Sequence, residues 1–250
     1  MEVHTHTHTE RKKWTHYLWE FLMLFLAVFC GFLAENFREH IVEKRREKQF
    51  MTSLLDDLKK DTTNFKKVIT DYTFTNKRID TLINCLKNTD RNKMTGEIYF
   101  LAKQVVFYFP FSTTDKTYEQ MKSSGNLRLM HDTSLLNDLG FYYSNFNYIE
   151  NHGPAQMELE VRHDLFTSYN KLFDASVFQK MISPPDSMPI ITSPGGNPAL
   201  LTNDPDIINE ICMRFHNMYF VRRVIIGQAG KNIERATGLI KKIEEGYHLK

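Results

Sequence analysis

The sequence predicts an all-α protein in which one N-terminal transmembrane helix continues into a long helix of an elongated helical bundle. Three observations lead there. The run Tyr17–Ala34 holds 18 residues with a single charged side chain. No Gly or Pro occurs between Gly31 and Gly96. Two long stretches, one toward each end of the chain, repeat apolar residues at steps of three and four, the spacing of one helix face.

The apolar run, YLWEFLMLFLAVFCGFLA, reaches about 27 Å at ~1.5 Å per residue, close to the ~30 Å hydrocarbon thickness of a bilayer. Trp14, Tyr17 and Trp19 cluster at its upstream end, where amphipathic rings favour the headgroup level. From Phe21 through Leu26 and Cys30 to Ala34 no face carries a polar stripe, and Glu35, Asn36 and Arg38 end the run abruptly. Bulky Phe32 opposes signal-peptide cleavage, and Phe29 before Cys30 opposes a lipoprotein signal. The expectation is an uncleaved anchor spanning residues 14–34. Glu20 lies about one turn inside it, where its carboxylate reaches the interface; a mechanistic role inside the membrane is the sharper alternative.

Residues 1–13 form a His-rich tail, expected to be flexible or cytoplasmic. Arg11, Lys12 and Lys13 stand there unopposed, whereas downstream Arg38, Lys44, Arg45, Arg46 and Lys48 alternate with Glu39, Glu43 and Glu47. Raw counting favours the downstream side as cytoplasmic. The compact tail at a first helix favours the reverse. We adopt the second: single-pass in a bacterial inner membrane, N-terminus cytoplasmic, domain periplasmic. The alternating charges at 35–50 suit a solvated helical stalk.

The bundle domain is expected over 51–250. Met51, Leu55, Leu58, Thr62, Phe65, Ile69, Tyr72, Asn76, Ile79, Ile83 and Leu86 form a heptad seam, widened by Phe50, Leu54, Val68 and Leu82. Anchor, stalk and seam would then form one helix of roughly 75 residues, about 110 Å long. Near the C-terminus, Ile208, Ile211, Phe215, Met218, Ile225, Ala229, Ile233, Ala236, Ile240, Ile243 and Tyr247 share a face, and Asp204-Pro205-Asp206 supplies a helix start. Comparable lengths predict antiparallel pairing of the two. Shorter helices are expected at Glu97–Phe109, Thr114–Ser124, Asp132–Ile149 and Pro154–Met181. The stretch 183–205 holds six of the eight prolines and reads as a surface loop.

Within Thr117–Asp132, TYEQMKSSGNLRLMHD, an aromatic residue, a short helix, Ser-Gly and Leu-x-Leu-Met precede a helix with Phe141-Tyr142-Tyr143. The anchor exits through Glu35, Asn36 and Glu39 into a charged helix carrying a Leu-x-x-Asp-Leu-like segment at Leu54–Leu58. In these features the chain resembles a family of single-span membrane proteins of Gram-negative bacteria, a domain of unknown function. The resemblance implies an envelope protein and carries over no catalytic residue.

Chemistry-bearing motifs are weak. The net charge is +2; residues 1–34 hold three basic and three acidic groups, so the remainder is nearly balanced and gives no electrostatic case for nucleic acid. Val224–Lys241 carries Ile-Ile-Gly-x-x-Gly-x-x-Ile, like the backbone clamp of an RNA-binding KH loop, but the spacing before it is helical; close helix approach or a bend explains the glycines better. It also lacks the first glycine and the Ser/Thr of a phosphate-binding loop. His4, His6 and His8 could hold a metal only loosely. Glu160-Val161-Arg162-His163 has di-metal spacing once, without a second copy, so Glu158, Glu160, His163 and Asp164 read as surface charge. Ser123-Ser124-Gly125 and Ser193-Pro194-Gly195 lack a nucleophile elbow. The aromatic run Tyr99–Phe111 suits core packing more than a groove. Three cysteines make no disulfide framework; Cys85 and Cys212 are the one intradomain pair open to bonding, with buried free thiols the commoner state.

Neither a cofactor nor a catalytic residue is expected. The sequence points to a non-enzymatic scaffold or protein-interaction component of the cell envelope, its partners the lipid bilayer and other envelope proteins or a second copy. The alternative is a ligand-sensing ectodomain, with a pocket among the 97–181 helices, transmitting through the continuous helix.

Overall fold

A computed structural model describes residues 14–182 and 190–249. The N-terminal tail with His4, His6 and His8, and part of the Pro-rich loop, lie outside the described residues. The chain divides into two compact units, residues 1–50 and 51–250, the division falling inside the first helix.

The described residues are all-α, with one isolated β-bridge pairing Ile182 and Ile191. Helix α1 runs Trp14–Lys87, 74 residues without a Gly or Pro after Gly31 to interrupt its ladder. It is followed by α2 (Thr95–Val105), α3 (Lys116–Ser123), α4 (Thr133–Asn151), α5 (Pro154–Leu172), α6 (Ala175–Lys180) and α7 (Pro205–Tyr247).

Local chemistry sets most boundaries. Asp132, Asp174 and Asp204 cap α4, α6 and α7, each carboxylate accepting a first-turn N–H, and Pro154 and Pro205 open α5 and α7 where a missing N–H costs nothing. Gly125 follows α3 at φ 69°, a left-handed turn that a Cβ would strain. Two expected helices are shorter than the sequence suggested. The stretch Glu97–Phe109 leaves the helix after Val105. Pro154–Met181 is two helices, because Phe173 is extended and Asp174 captures the Ser176 N–H at 2.8 Å to start α6.

In the second unit, α1 and α7 pair antiparallel. Lys59 meets Glu244 at 3.0 Å and the Asn76 amide donates to the Tyr219 carbonyl at 3.3 Å. The seam of α1 lies largely where expected: Met51, Leu55, Leu58, Phe65, Tyr72, Asn76, Ile79 and Leu86 are buried, and Leu54, Val68 and Leu82 widen it. Thr62, Ile69 and Ile83 are half-buried at its edge, and Asp61 and Thr75 are buried instead. Similarly α7 buries Asn232 and Leu239 where Ile233 and Ile240 were expected. Bundle helices bury a stripe wider than two heptad positions, so packing on several neighbours selects its centre.

Helix α5 also runs antiparallel to α7, held by Ser168 and Lys171 on Glu210 and by Arg214 on the Asp164 carbonyl. The core is aromatic: the rings of Phe65, Phe111 and Phe146 lie 5.0–5.9 Å apart. The described part of the Pro-rich loop lies at the surface yet is stitched down. Leu201 N–H donates to the Leu172 carbonyl, Tyr99 hydroxyl to the Ala199 carbonyl, and Gly96 N–H to Asn197 Oδ1. A Cβ on Gly96 would stand 2.2 Å from the Gly196 carbonyl oxygen, so this contact requires glycine.

The glycines of α7 behave differently. Gly227 and Gly230 lie inside an uninterrupted helix, and a Cβ at either would meet nothing within 4 Å. Close helix approach therefore does not explain them, and the residues form no loop of the KH kind.

Candidate functional site

Three features stand apart from ordinary core packing. The first is the apolar part of α1. An 18-residue window there has mean hydropathy 2.0 and none of it is buried. Tyr17, Trp19, Glu20, Phe21, Leu26, Cys30 and Ala34 are all exposed, Phe21 at 68%. Phe21, Phe25 and Phe29 stack along one face at i, i+4 spacing. Glu20 pairs with His16 at 3.0 Å, one turn toward the N-terminus. The charged residues after this apolar stretch are exposed apart from half-buried Glu43 and buried Glu47.

The second is a buried polar centre that the sequence reading missed. Glu158, expected at the surface, is fully buried. Its Oε1 accepts from Arg222 Nε and Arg162 Nη2, both at 3.0 Å, and its Oε2 accepts from the Tyr72 hydroxyl. Arg222 is itself wholly buried and donates its remaining nitrogens to the Val105 and Phe107 carbonyls, each at 2.8 Å. These carbonyls lie at and beyond the end of α2, where backbone acceptors lack partners and a cation is favoured. Burial lowers the Arg222 pKa and Glu158 opposes that shift. Every guanidinium nitrogen of Arg222 has an acceptor, whereas Arg162 Nε is buried without a hydrogen-bond partner. The constellation ties α1, α5, α7 and the segment after α2 together.

A related polar pair joins Leu54–Leu58 and Asp61 on α1 to the segment around α3. Asp57, within Leu54–Leu58, accepts from the Thr117 hydroxyl at the head of TYEQMKSSGNLRLMHD. One turn on, buried Asp61 accepts from Thr114 N–H at 2.7 Å and the Tyr142 hydroxyl at 2.8 Å. Burial pushes the Asp61 carboxyl up to about 6, against those hydrogen bonds.

The third is a cavity of about 580 Å³ among α2, α5, α6 and the loop before α7. Phe166, Tyr169, Phe173 and Phe178 line it, with Val106, Ala175 and Leu201. Lys103, Asn170 and Asp174 are its polar members. From the run Tyr99–Phe111 only Lys103 and Val106 line it and none of the aromatic residues does; Tyr99 and Phe111 are buried, while Phe107 and Tyr108 face outward.

Elsewhere the chemistry is sparse. Glu160, His163 and Asp164 are exposed on α5. Among the described residues no group of three or more His, Cys, Asp or Glu stands close enough to hold a metal. The three cysteines are free thiols, Cys30 exposed and Cys212 buried. Neither a family model, nor a curated protein, nor a solved structure matches the chain.

Proposed function

We propose that this chain is a non-enzymatic, single-pass membrane protein acting as a scaffold or interaction component of a bacterial cell envelope. The observation that carries the reading is the apolar stretch of α1, exposed on every face over a bilayer's length. In water such a surface is strongly unfavourable, because each buried Å² of apolar area contributes about 25 cal/mol. Lipid supplies the missing burial. Trp14, Tyr17 and the His16–Glu20 pair then occupy the headgroup level on the N-terminal side, which is assigned to the cytoplasm, with the bundle in the periplasm. The envelope placement is supported by the resemblance at Glu35–Glu39, Leu54–Leu58 and Thr117–Asp132.

The scaffold role is supported by what the polar residues do. The buried Glu158–Arg222–Tyr72 centre spends its hydrogen bonds on joining helices. Other envelope proteins or a second copy are the partners proposed. In-membrane crosslinking of the full-length chain, followed by purification in mild detergent, tests this. A discrete crosslinked species supports the role; a monomer with no crosslinked species under any condition overturns it. Labelling of engineered cysteines in the tail and bundle tests orientation, and labelling of the bundle from the cytoplasmic side alone would reverse it.

The aromatic cavity favours a second reading, a ligand-sensing ectodomain, because it lies among the middle helices.

A further inference from the structure

We infer that the cavity between α2, α5 and α6 binds a small organic anion with an aromatic body, its carboxylate against Lys103. The inference deepens the ligand-sensing reading and is independent of the scaffold role. Its volume, about 580 Å³, lies in the range of small-molecule sites. The walls are built for a ring. Tyr169 and Phe173 lie 5.0 Å apart, Phe173 and Phe178 5.3 Å, and Phe166 and Tyr169 5.7 Å. These tilted and edge-on contacts join the rings into one aromatic cluster, a surface against which a further ring packs favourably.

The walls are also fixed in place. The Tyr169 hydroxyl donates to the Ala102 carbonyl at 2.8 Å, the Asp174 N–H donates to the Tyr99 oxygen at 2.9 Å, and Leu201 N–H is tied to the Leu172 carbonyl. A cavity held open by hydrogen bonds on three sides has little ordering left to do on binding.

Charge decides the sign of the ligand. The two ionised groups at the cavity differ in what they already do. Asp174 accepts the Ser176 N–H at the start of α6, and this bond holds its carboxyl below the usual range. Lys103 has no carboxylate partner among the described residues; its ammonium lies 5.4 Å from the Phe178 ring centroid. The Phe178 face therefore already carries a cation. An anion meets an uncompensated ammonium beside an aromatic wall. Asn170, at the exposed rim, adds an amide that can donate to a second carboxylate oxygen.

The test uses the full-length chain in lipid nanodiscs, with 2-naphthoate as probe and empty discs as control, read by titration calorimetry. Saturable binding is expected, weakened roughly tenfold or more in Lys103→Glu and largely retained in Lys103→Arg. The neutral 2-naphthylmethanol should bind more weakly than the carboxylate. Equal binding by empty discs, no effect of Lys103→Glu in a variant with unchanged helicity, or preference for 2-naphthylmethylammonium would each overturn the assignment. Failure of the anchor reading is separate and visible, since the chain would then not copurify with the discs.

Discussion

Arg222 illustrates how a single side chain organises this bundle. It reaches Glu158 on α5 and the carbonyls after α2 from one position on α7, and its guanidinium lies 5.1 Å from the Tyr72 ring on α1. Removing it strands a buried carboxylate. Arg222→Ala should cost about 3–5 kcal/mol of unfolding free energy, measured by denaturant titration. Adding Glu158→Met to Arg222→Met should recover part of that loss, since the stranded carboxylate is removed while Arg162 and the Val105 and Phe107 carbonyls lose a partner. If the single and double variants are equally unstable, the pair is not the organising contact. Asp61 makes a prediction of opposite character. Its carboxyl is raised to about 6 in the fold, against about 3.9 when unfolded. Between these values the folded chain holds a proton that the unfolded chain lacks. This group's contribution therefore improves as pH falls from 7 toward 4, by on the order of 1–2 kcal/mol, and is lost as pH rises through 6. Asp61→Asn should flatten that dependence in unfolding titrations at pH 4.5 and 7; an unchanged slope would contradict the assignment.

At the scale of elements, the sequence was most informative where local rules act alone. The starts of α4 and α7 followed from Asp132 and from Asp204-Pro205, because an N-cap is decided within three residues. The break at Phe173-Asp174 was hidden, because Asp174 caps α6 inside an otherwise helical pattern. The buried polar residues had left a trace: the expected face of α7 skips from Met218 to Ile225, and Arg222 fills that vacant turn. On α1, of the two polar interruptions expected, Asn76 is buried in the seam, whereas Thr62 stands one residue from the buried Asp61. A heptad pattern cannot distinguish those adjacent edges without knowing which helices flank the seam. Glycines separate similarly. Gly96→Ala should destabilise by about 1–3 kcal/mol, its Cβ forced against the Gly196 carbonyl. Gly227→Ala and Gly230→Ala should each stabilise by about 0.5–1 kcal/mol, because open space surrounds both inside a helix. Thermal unfolding followed by circular dichroism measures all three, and a destabilised Gly230→Ala would point to a contact made by that face of α7.

For the whole molecule, the long apolar stretch of α1 was legible because length and composition suffice to define it, whereas the aromatic cavity was not. Its walls come from residues 103–106, 166–178 and 201, and only the folded chain brings these together. The proposed role depends on lipid covering the exposed face of α1, and a natural reporter lies within it. Cys30 is an exposed thiol inside the apolar run, about one turn from its downstream end, while Cys212 is buried in the bundle. Intact membranes containing the full-length chain would be treated on both sides with a membrane-impermeant maleimide, and labelling of each cysteine quantified by peptide mass spectrometry. The account predicts that Cys30 stays unlabelled until the bilayer is dissolved in denaturing detergent and is then labelled fully. Labelling of Cys30 in intact membranes would contradict it.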